Sequence, residues 1–481
     1  MNRAARAGLL GGPALFAVLL LVPPPGGMSI AAWHTAALAA LLAVWWMTEA
    51  LPLGATSLLP IILLPLLGVT SVDAATAPYA NPTIFLFLGG FLIALAVERS
   101  GLHRRAALTI LGAAGTRPSR LVGGFMLATA VLSMWISNTA ATLMMLPMAT
   151  SVLTFESGSD VPGADSNLGP AILLGVAYAA SIGGLGTLIG TPPNALLAAY
   201  MTERFEVEIG FGEWMLVGVP LVILALPLCW LLITRVACRV DDAMPAGSGL
   251  EAARAGLGPM SRAEWLVGTI MLATALAWMF RPLLQRAIPP LNDATIAIAG
   301  ALLLFAVPVH WKRRVFPLGA GDLERIPWSV LLLFGGGLSL AAAIESSGLA
   351  DWMGHALGAL GGWPLPLLLL AMIATTVYSS ELASNTAAAA TFLPIVGALA
   401  VGLGVAPMTL VVPTALAASC GFMLPVSTPP NAIVYGTGRI SIGRMIRTGF
   451  LLNLLMIGIL MAAAFSLIPW ALGTGPGPAA P

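Results

Sequence analysis

Apolar runs of roughly 18 to 25 residues, the length a helix needs to cross the hydrocarbon of a bilayer, recur along this chain between short polar or basic stretches. Spans read at about 30–48, 54–71, 82–99, 213–234, 263–281, 293–310, 328–346 and 449–470. Barrel strands would be short and alternating, so the pattern predicts helices. An earlier run, 7–22, follows Arg3 and Arg6 and ends in Pro23-Pro24-Pro25. A signal peptide opens the same way, but no small-x-small cleavage site follows, and a first span fits. Four stretches break the rhythm. Residues 121–154 form a 34-residue apolar stretch with a polar triplet, Ser137-Asn138-Thr139, at its centre, and 364–401 repeats the arrangement around Ser384-Asn385-Thr386. The apolar regions 168–203 and 407–437 are each interrupted by a Pro-Pro pair.

These breaks are a repeat. The triplets lie 247 residues apart, and the same offset carries Leu146-Pro147 onto Leu393-Pro394, Gly89-Gly90 onto Gly336-Gly337, Glu98 onto Glu345, and Ser100-Gly101-Leu102 onto Ser347-Gly348-Leu349. Gly190-Thr191-Pro192-Pro193-Asn194 returns as Ser427-Thr428-Pro429-Pro430-Asn431 at an offset of 237.

Arginine placement orders the spans. If 121–154 crossed the membrane, the loop bearing Arg235, Arg239, Arg254 and Arg262 would fall on the face opposite Arg99, Arg104 and Arg105; if the stretch enters and returns, both loops are cytoplasmic. The hairpin reading satisfies the positive-inside rule. Treating 364–401 likewise puts Lys312, Arg313, Arg314, Arg325, Arg439, Arg444 and Arg447 inside, leaving only Arg204, Arg281 and Arg286 outside. The N-terminus is then cytoplasmic and a Gly/Pro tail external. Five crossings separate the hairpins, so the repeats are inverted and the triplets approach the midplane from opposite faces. The chain thus reads as N-terminal spans (1–120), a first hairpin with broken helix and following span (121–234), a cytoplasmic linker (235–262), spans of the second repeat (263–363), and a second hairpin, broken helix and last span (364–481).

Composition confirms the setting. With 58% hydrophobic and 9% charged residues the chain is an integral membrane protein, and a net charge of +1 describes no nucleic-acid surface. Cys229, Cys238 and Cys420 form no CxxC or His-rich cluster and read as apolar fillers; His34, His103, His310 and His355 are isolated and read as structural or interfacial. No GxxxxGK, HExxH or GxSxG occurs, and Gly183-Gly184-Leu185-Gly186 followed by Gly190 has neither the spacing nor the sheet of a dinucleotide fold. The chain is read as no enzyme, and an ion gradient drives its work.

A helix broken within the membrane leaves backbone groups that lipid cannot satisfy, so the break must be buried or line a wet cavity. The half-helix that starts there offers a partial positive charge to an anion, while unwound carbonyls and hydroxyls form an oxygen cage for a monovalent cation. Proline at the Thr-Pro pairs enforces the break. A lone Ser-Asn-Thr is usually an interhelical hydrogen-bond patch, but four breaks in two inverted pairs encode anion cradles and cation cages.

The segment 418–434, Ala-Ser-Cys-Gly-Phe-Met-Leu-Pro-Val-Ser-Thr-Pro-Pro-Asn-Ala-Ile-Val, resembles the signature of the divalent anion/sodium symporter family, and the paired triplets and Thr-Pro motifs match that family's other hallmark. The resemblance covers roughly residues 30–470. It implies an all-α polytopic membrane protein, an inverted-repeat elevator-type transporter with about eleven transmembrane helices and two re-entrant hairpins, working as a homodimer in the plasma (inner) membrane. It places substrate against Ser137, Asn138, Thr139, Pro192, Ser384, Asn385, Thr386, Thr428 and Pro429. One sodium site would draw on Ser133, Ser137, Asn138 and Gly190, the other on Ser380, Ala383, Asn385 and Ser427. Ser133 and Ser380 each stand one helical turn before a triplet serine, facing the same cage.

The activity expected is sodium-coupled symport of C4-dicarboxylates such as succinate, malate and fumarate. A dicarboxylate exchanger and a sodium-coupled carrier of sulfate or citrate stay open, and an anion channel is the remote alternative. Glu381 has no acidic counterpart in the first half, where Met134 stands; the expectation is a carboxylate anchored by hydroxyls such as those of Ser379 or Ser380, with proton coupling as the alternative. Glu98 and Glu345 read as helix-end structure.

Overall fold

A computed structural model describes residues 3–156, 167–242, 256–357 and 362–473, and these contain no β-strand. Arg254 and the Gly/Pro tail fall outside the described residues. Seven helices are long and apolar enough to cross a bilayer unaided, among them Ile30–Thr48, Trp328–Ser346 and Ile442–Phe465, and shorter apolar helices such as Leu168–Gly184 and Pro407–Ala418 fill the broken regions. Large side chains such as Leu21, Ile223, Leu272 and Leu302 are exposed on the outside, the distribution a lipid-facing surface requires. The first helix, Arg3–Leu21, lies along Ile30–Thr48: a Cβ at Gly12 would meet the Trp45 ring, and Trp45 Nε1 donates to the Gly8 carbonyl. The span expected over 54–71 is two short helices, Leu53–Thr56 and Leu59–Leu66, because Pro52 and Pro60 each restart the backbone and Gly68 ends it at φ +69°.

Both long triplet stretches are hairpins. In the first, Pro118–Ser133 leads through a break at 134–137 into Asn138–Glu156. Neighbours of the next helix, Leu168–Gly184, fix the directions. A Cβ on Gly175 or Gly183 would meet Met126 or Ala130 in turn, so that helix runs parallel to the first arm. Leu153 and Asn138 face Gly169 and Gly184, so the second arm runs antiparallel and the chain returns to the face it entered from. In the second hairpin, Leu365–Ser380 and Asn385–Gly402 flank a break at 381–384; Pro407–Ala418 runs back beside both, bringing Gly421 against Ser380.

Two sets of helices emerge. Pro82–Ser100 packs on Asp293–Ala306, and Trp328–Ser346 on the segment 53–66, which forms a framework. The hairpins and broken helices pack on one another across the repeats: Pro192–Phe205 lies against Asn385–Gly402, and Pro429–Tyr435 against Asn138–Glu156. The repeated Gly89 and Gly336 serve the framework. A Cβ on Gly89 would sit 2.6 Å from the Ala297 carbonyl carbon, and one on Gly336 would collide with the Ser57 backbone. Backbone cannot yield as a side chain can, so Gly89→Val and Gly336→Val should each destabilise by more than ~2 kcal/mol, read as a melting temperature several degrees lower in detergent.

Candidate functional site

All nine residues expected to touch substrate line one cavity of about 890 Å³: Ser137, Asn138, Thr139, Pro192, Ser384, Asn385, Thr386, Thr428 and Pro429. Four helix N-termini meet there, those of Asn138–Glu156 (19 residues), Asn385–Gly402 (18 residues), Pro192–Phe205 (14 residues) and the short Pro429–Tyr435 (7 residues). The pairs are built alike. Ser137 Oγ accepts the Ala140 amide at 3.2 Å and Ser384 Oγ the Ala387 amide at 3.5 Å. Thr191 and Thr428 are both extended, at φ −144°, ψ 142° and φ −142°, ψ 147°, as residues preceding proline must be. Prolines at the first two helical positions remove N–H donors from the Thr-Pro ends. Those ends therefore supply field and an apolar wall, and hydrogen bonds to an anion must come from the triplet ends. At ~0.5 charge per terminus, the three longer helices alone present about +1.5 to the cavity.

Most of the residues expected to hold cations lie at the cavity wall. The Asn138 side-chain amide faces three oxygens, Ser133 Oγ at 2.6 Å, the Ala180 carbonyl at 3.1 Å and the Gly190 carbonyl at 3.2 Å. With its nitrogen toward them the amide donates to all three; with Oδ1 toward them the four oxygens make an all-oxygen set suited to a hard monovalent cation. The residues fit sodium. Ser133, Asn138 and Gly190 meet as expected, while Ser137 Oγ lies on the cavity lining and is occupied in capping its helix. In the second repeat Asn385 Oδ1 is buried without a partner among the described residues, and Ser427 Oγ donates to the Leu424 carbonyl at 2.7 Å. Ser380 departs from the expectation: its hydroxyl donates to its own helix, at the Val377 carbonyl 2.8 Å away, because the break begins only after it. Its carbonyl and its hydroxyl both lie close to Gly421, but the hydroxyl is spent on its own helix whereas Ser133 Oγ donates to the Ala180 carbonyl at 2.7 Å, so the two serines a turn before the triplets are not equivalent. Ala383 is buried and lies off the cavity lining.

Two braces, the asparagines of the repeated Pro-Pro-Asn motifs, show their role only in the fold. Asn194 Nδ2 donates to the carbonyls of Gly184 and Thr187 at 3.1 and 2.9 Å, and Asn431 Nδ2 to those of Gly421 and Leu424 at 3.3 and 3.1 Å. The asparagine ending each repeated Pro-Pro-Asn thus clamps the loop that breaks its helix. Ala180 gave no signal at all, since it contributes only a carbonyl.

Glu381 is anchored, though not by hydroxyls. Its carboxylate accepts the amides of Phe422 at 2.6 Å, Met423 at 2.9 and 3.0 Å and Leu424 at 3.0 Å, and the Asn453 amide at 2.8 Å. The unwinding of 420–424 exposes those N–H groups, and a buried anion satisfies them. In the first repeat the corresponding amides of Leu185 and Gly186 turn back onto Ile182 and Gly183, which is why Met134 suffices there.

The cavity is rimmed by Glu49, Glu98 and Arg325, and Arg325 Nη2 donates to Glu98 Oε1 at 2.7 Å. Glu345, the repeat partner of Glu98, pairs instead with Arg204. Both acids thus stand in the last turns of their helices, as expected, and each also belongs to an ion pair. His34, His103 and His355 contact backbone carbonyls, and all three cysteines are buried and free, as expected of structural residues.

The sodium:sulfate symporter transmembrane region matches residues 6–472. The chain is 41% identical over 476 residues to a protein of Staphylococcus saprophyticus named sodium-dependent dicarboxylate transporter SdcS, covering 97% of this chain and 92% of that one. It is likewise 41% identical over 480 residues to the protein of the same name from Staphylococcus aureus strain USA300, with the same coverage. Among solved structures, the Alcanivorax borkumensis YdaH transporter superposes at TM-score 0.58 (18% identity, 92% of this chain and all 100% of that one) and Neisseria gonorrhoeae MtrF at 0.60 (14% identity, 98% and 100%), likenesses of fold alone. The chain therefore belongs to the sodium:sulfate symporter family of multi-pass membrane transporters.

Proposed function

We propose that this protein is a secondary active transporter that carries a C4-dicarboxylate together with sodium. The observation that carries the reading is the meeting of both Ser-Asn-Thr triplets and both Thr-Pro breaks in a single cavity, with a set of oxygens gathered around Asn138 at its wall. The helix termini present roughly the charge a dianion needs, and Asn138 and Asn385 stand between anion and cation, so each substrate strengthens the site for the other. Relatives named for dicarboxylate transport, at 41% identity over nearly the full length, favour C4-dicarboxylates over sulfate or citrate.

Transport follows an elevator motion in this reading: the hairpins and broken helices, 118–237 and 365–465, move as one body against a framework of 30–100 and 262–346. With the cavity rimmed by Glu98 and Arg325, next to the arginines placed inside by the positive-inside rule, the conformation is inward-facing, with the N-terminus cytoplasmic and the C-terminus external. A homodimer holding two frameworks together would keep them fixed in the membrane.

Competition tests the substrate class. Proteoliposomes in sodium should take up labelled succinate, and a tenfold excess of unlabelled malate or fumarate, chosen at about ten times the succinate concentration, should cut uptake by most of its value. Sulfate and citrate at the same excess should leave it nearly intact. Stronger inhibition by sulfate or citrate than by malate would reassign the substrate.

A further inference from the structure

Glu98 and Glu345 occupy the same position in the two repeats, at the ends of Pro82–Ser100 and Trp328–Ser346, yet their partners differ in kind. Glu98 pairs with Arg325, which lies in the segment leading into Trp328–Ser346, so that bond stays within the framework. Glu345 pairs with Arg204, at the last turn of Pro192–Phe205, the outer half of the first broken helix. That bond joins the framework to the part that carries the cavity. Next to it Asn81 Nδ2 donates to Glu203 at 3.1 Å, a second tie between the same two parts.

Geometry places the two acids at opposite ends. Arg204 lies 12 positions beyond the break at Pro192, a rise of about 18 Å and so about half a bilayer from the midplane. Glu98 rims the cavity at the other end. The helix matching Pro192–Phe205 is Pro429–Tyr435, and it is shorter, so the offset of 237 that maps Pro192 onto Pro429 brings Arg204 to Ser441, in a loop where the nearby cation is Arg439. Arg439 is exposed, and among the described residues its side chain has no ion-pair partner.

The two halves of an inverted repeat are related by a pseudo-two-fold axis in the membrane plane, so a contact made by one half marks where its counterpart in the other half can form when the moving body shifts the other way. The geometry points to an exchange of ion pairs: in the outward-facing state Arg204 leaves Glu345, and Arg439, two positions before the repeat match of Arg204, takes beside Glu98 the place that Arg204 now holds beside Glu345. The inference rests on the elevator reading above. Both observed pairs are substantially exposed, with side chains 22% and 45% accessible for Arg204 and Glu345 and 48% and 40% for Arg325 and Glu98. Such pairs contribute little net stability, so trading one for another leaves the two states close in energy, as a transporter cycling between them requires. The pair in place at each stop registers the moving body against the framework without trapping it.

Two double variants test the exchange in the full-length protein reconstituted in liposomes: Arg204→Cys with Glu345→Cys, and Arg439→Cys with Glu98→Cys. Each is treated with a bifunctional thiol reagent long enough to replace the two lost side chains. The native thiols are buried, so single-cysteine variants serve as controls. Both pairs should cross-link, each cross-link should lower sodium-driven succinate uptake at least tenfold, and cleaving the reagent should restore it. Cross-linking of the 204/345 pair that blocks uptake, with none at 98/439 above the controls, would overturn the exchange while leaving the motion intact. Cross-links that leave uptake unchanged would overturn the elevator reading and the exchange with it. As a check free of cysteine, Arg439→Gln should leave the melting temperature unchanged, since Arg439 pairs with nothing in this state, yet slow uptake by about threefold or more; unchanged uptake would also overturn the exchange.

Discussion

Asn138→Ala and Asn385→Ala should each lower sodium-driven succinate uptake by about 100-fold or more while the purified protein still folds and elutes at the wild-type position. Each side chain stands at a helix N-terminus on the cavity and at a cation cage, Asn138 facing Ser133, Ala180 and Gly190, and Asn385 with a buried oxygen that no described residue satisfies. In the proposed site, removing one would take a ligand from the anion and another from the cation at once. Hydrogen bonds to charged groups contribute ~1.5–3 kcal/mol each, and ~2.7 kcal/mol is already 100-fold. The protein survives the change because Asn138 and Asn385 are only half-buried and their helices keep the caps supplied by Ser137 and Ser384. Uptake within about threefold of wild type in either variant would remove that residue from the site.

Replacing Glu381 has the opposite signature, a loss of folded protein before any loss of binding. Glu381→Leu fills the same space but strands the amides of Phe422, Met423 and Leu424 and the Asn453 side chain. A buried donor left without an acceptor costs ~1–3 kcal/mol, so even with relaxation the variant should lose more than ~3 kcal/mol. The expected result is a melting temperature lower by several degrees, or failure to recover folded protein from membranes. Asn453→Ala leaves the carboxylate with its three amides and should cost ~1.5–3 kcal/mol, less than Glu381→Leu. Equal melting temperatures for wild type and Glu381→Leu would show that the 420–424 segment finds its hydrogen bonds elsewhere.

The same comparison shows what the sequence made legible. Helices and the broken stretches follow from hydrophobic run length, from proline and from a repeat in constant register, and the nine cavity residues from the family resemblance of the repeated motifs, all of which are carried by side chains in order along the chain. Contacts made through backbone carbonyls and amides leave no such trace. Ala180 enters the cage by its carbonyl, and nothing distinguishes it from the other alanines of its helix. Ser380 copies Ser133 in sequence but turns its hydroxyl into its own helix, since where a helix unwinds is decided by packing around the break. The hydroxyl anchor expected for Glu381 was wrong for the same reason: its partners are amides some forty positions away, exposed by the unwinding of a different helix. Asn194 and Asn431 were visible as an echo, and only the fold shows that each clamps the loop before its own proline pair.

The central claim is that one cavity couples a dicarboxylate to sodium. Simultaneous uptake of labelled succinate and labelled sodium into proteoliposomes, under an inward sodium gradient and then with potassium in its place, tests it most directly. The account predicts that succinate accumulates against its own gradient only in sodium, that the two labels enter in a fixed ratio, and that Asn138→Ala loses both together. Succinate uptake of equal rate in potassium, or entry of succinate without labelled sodium, would contradict it.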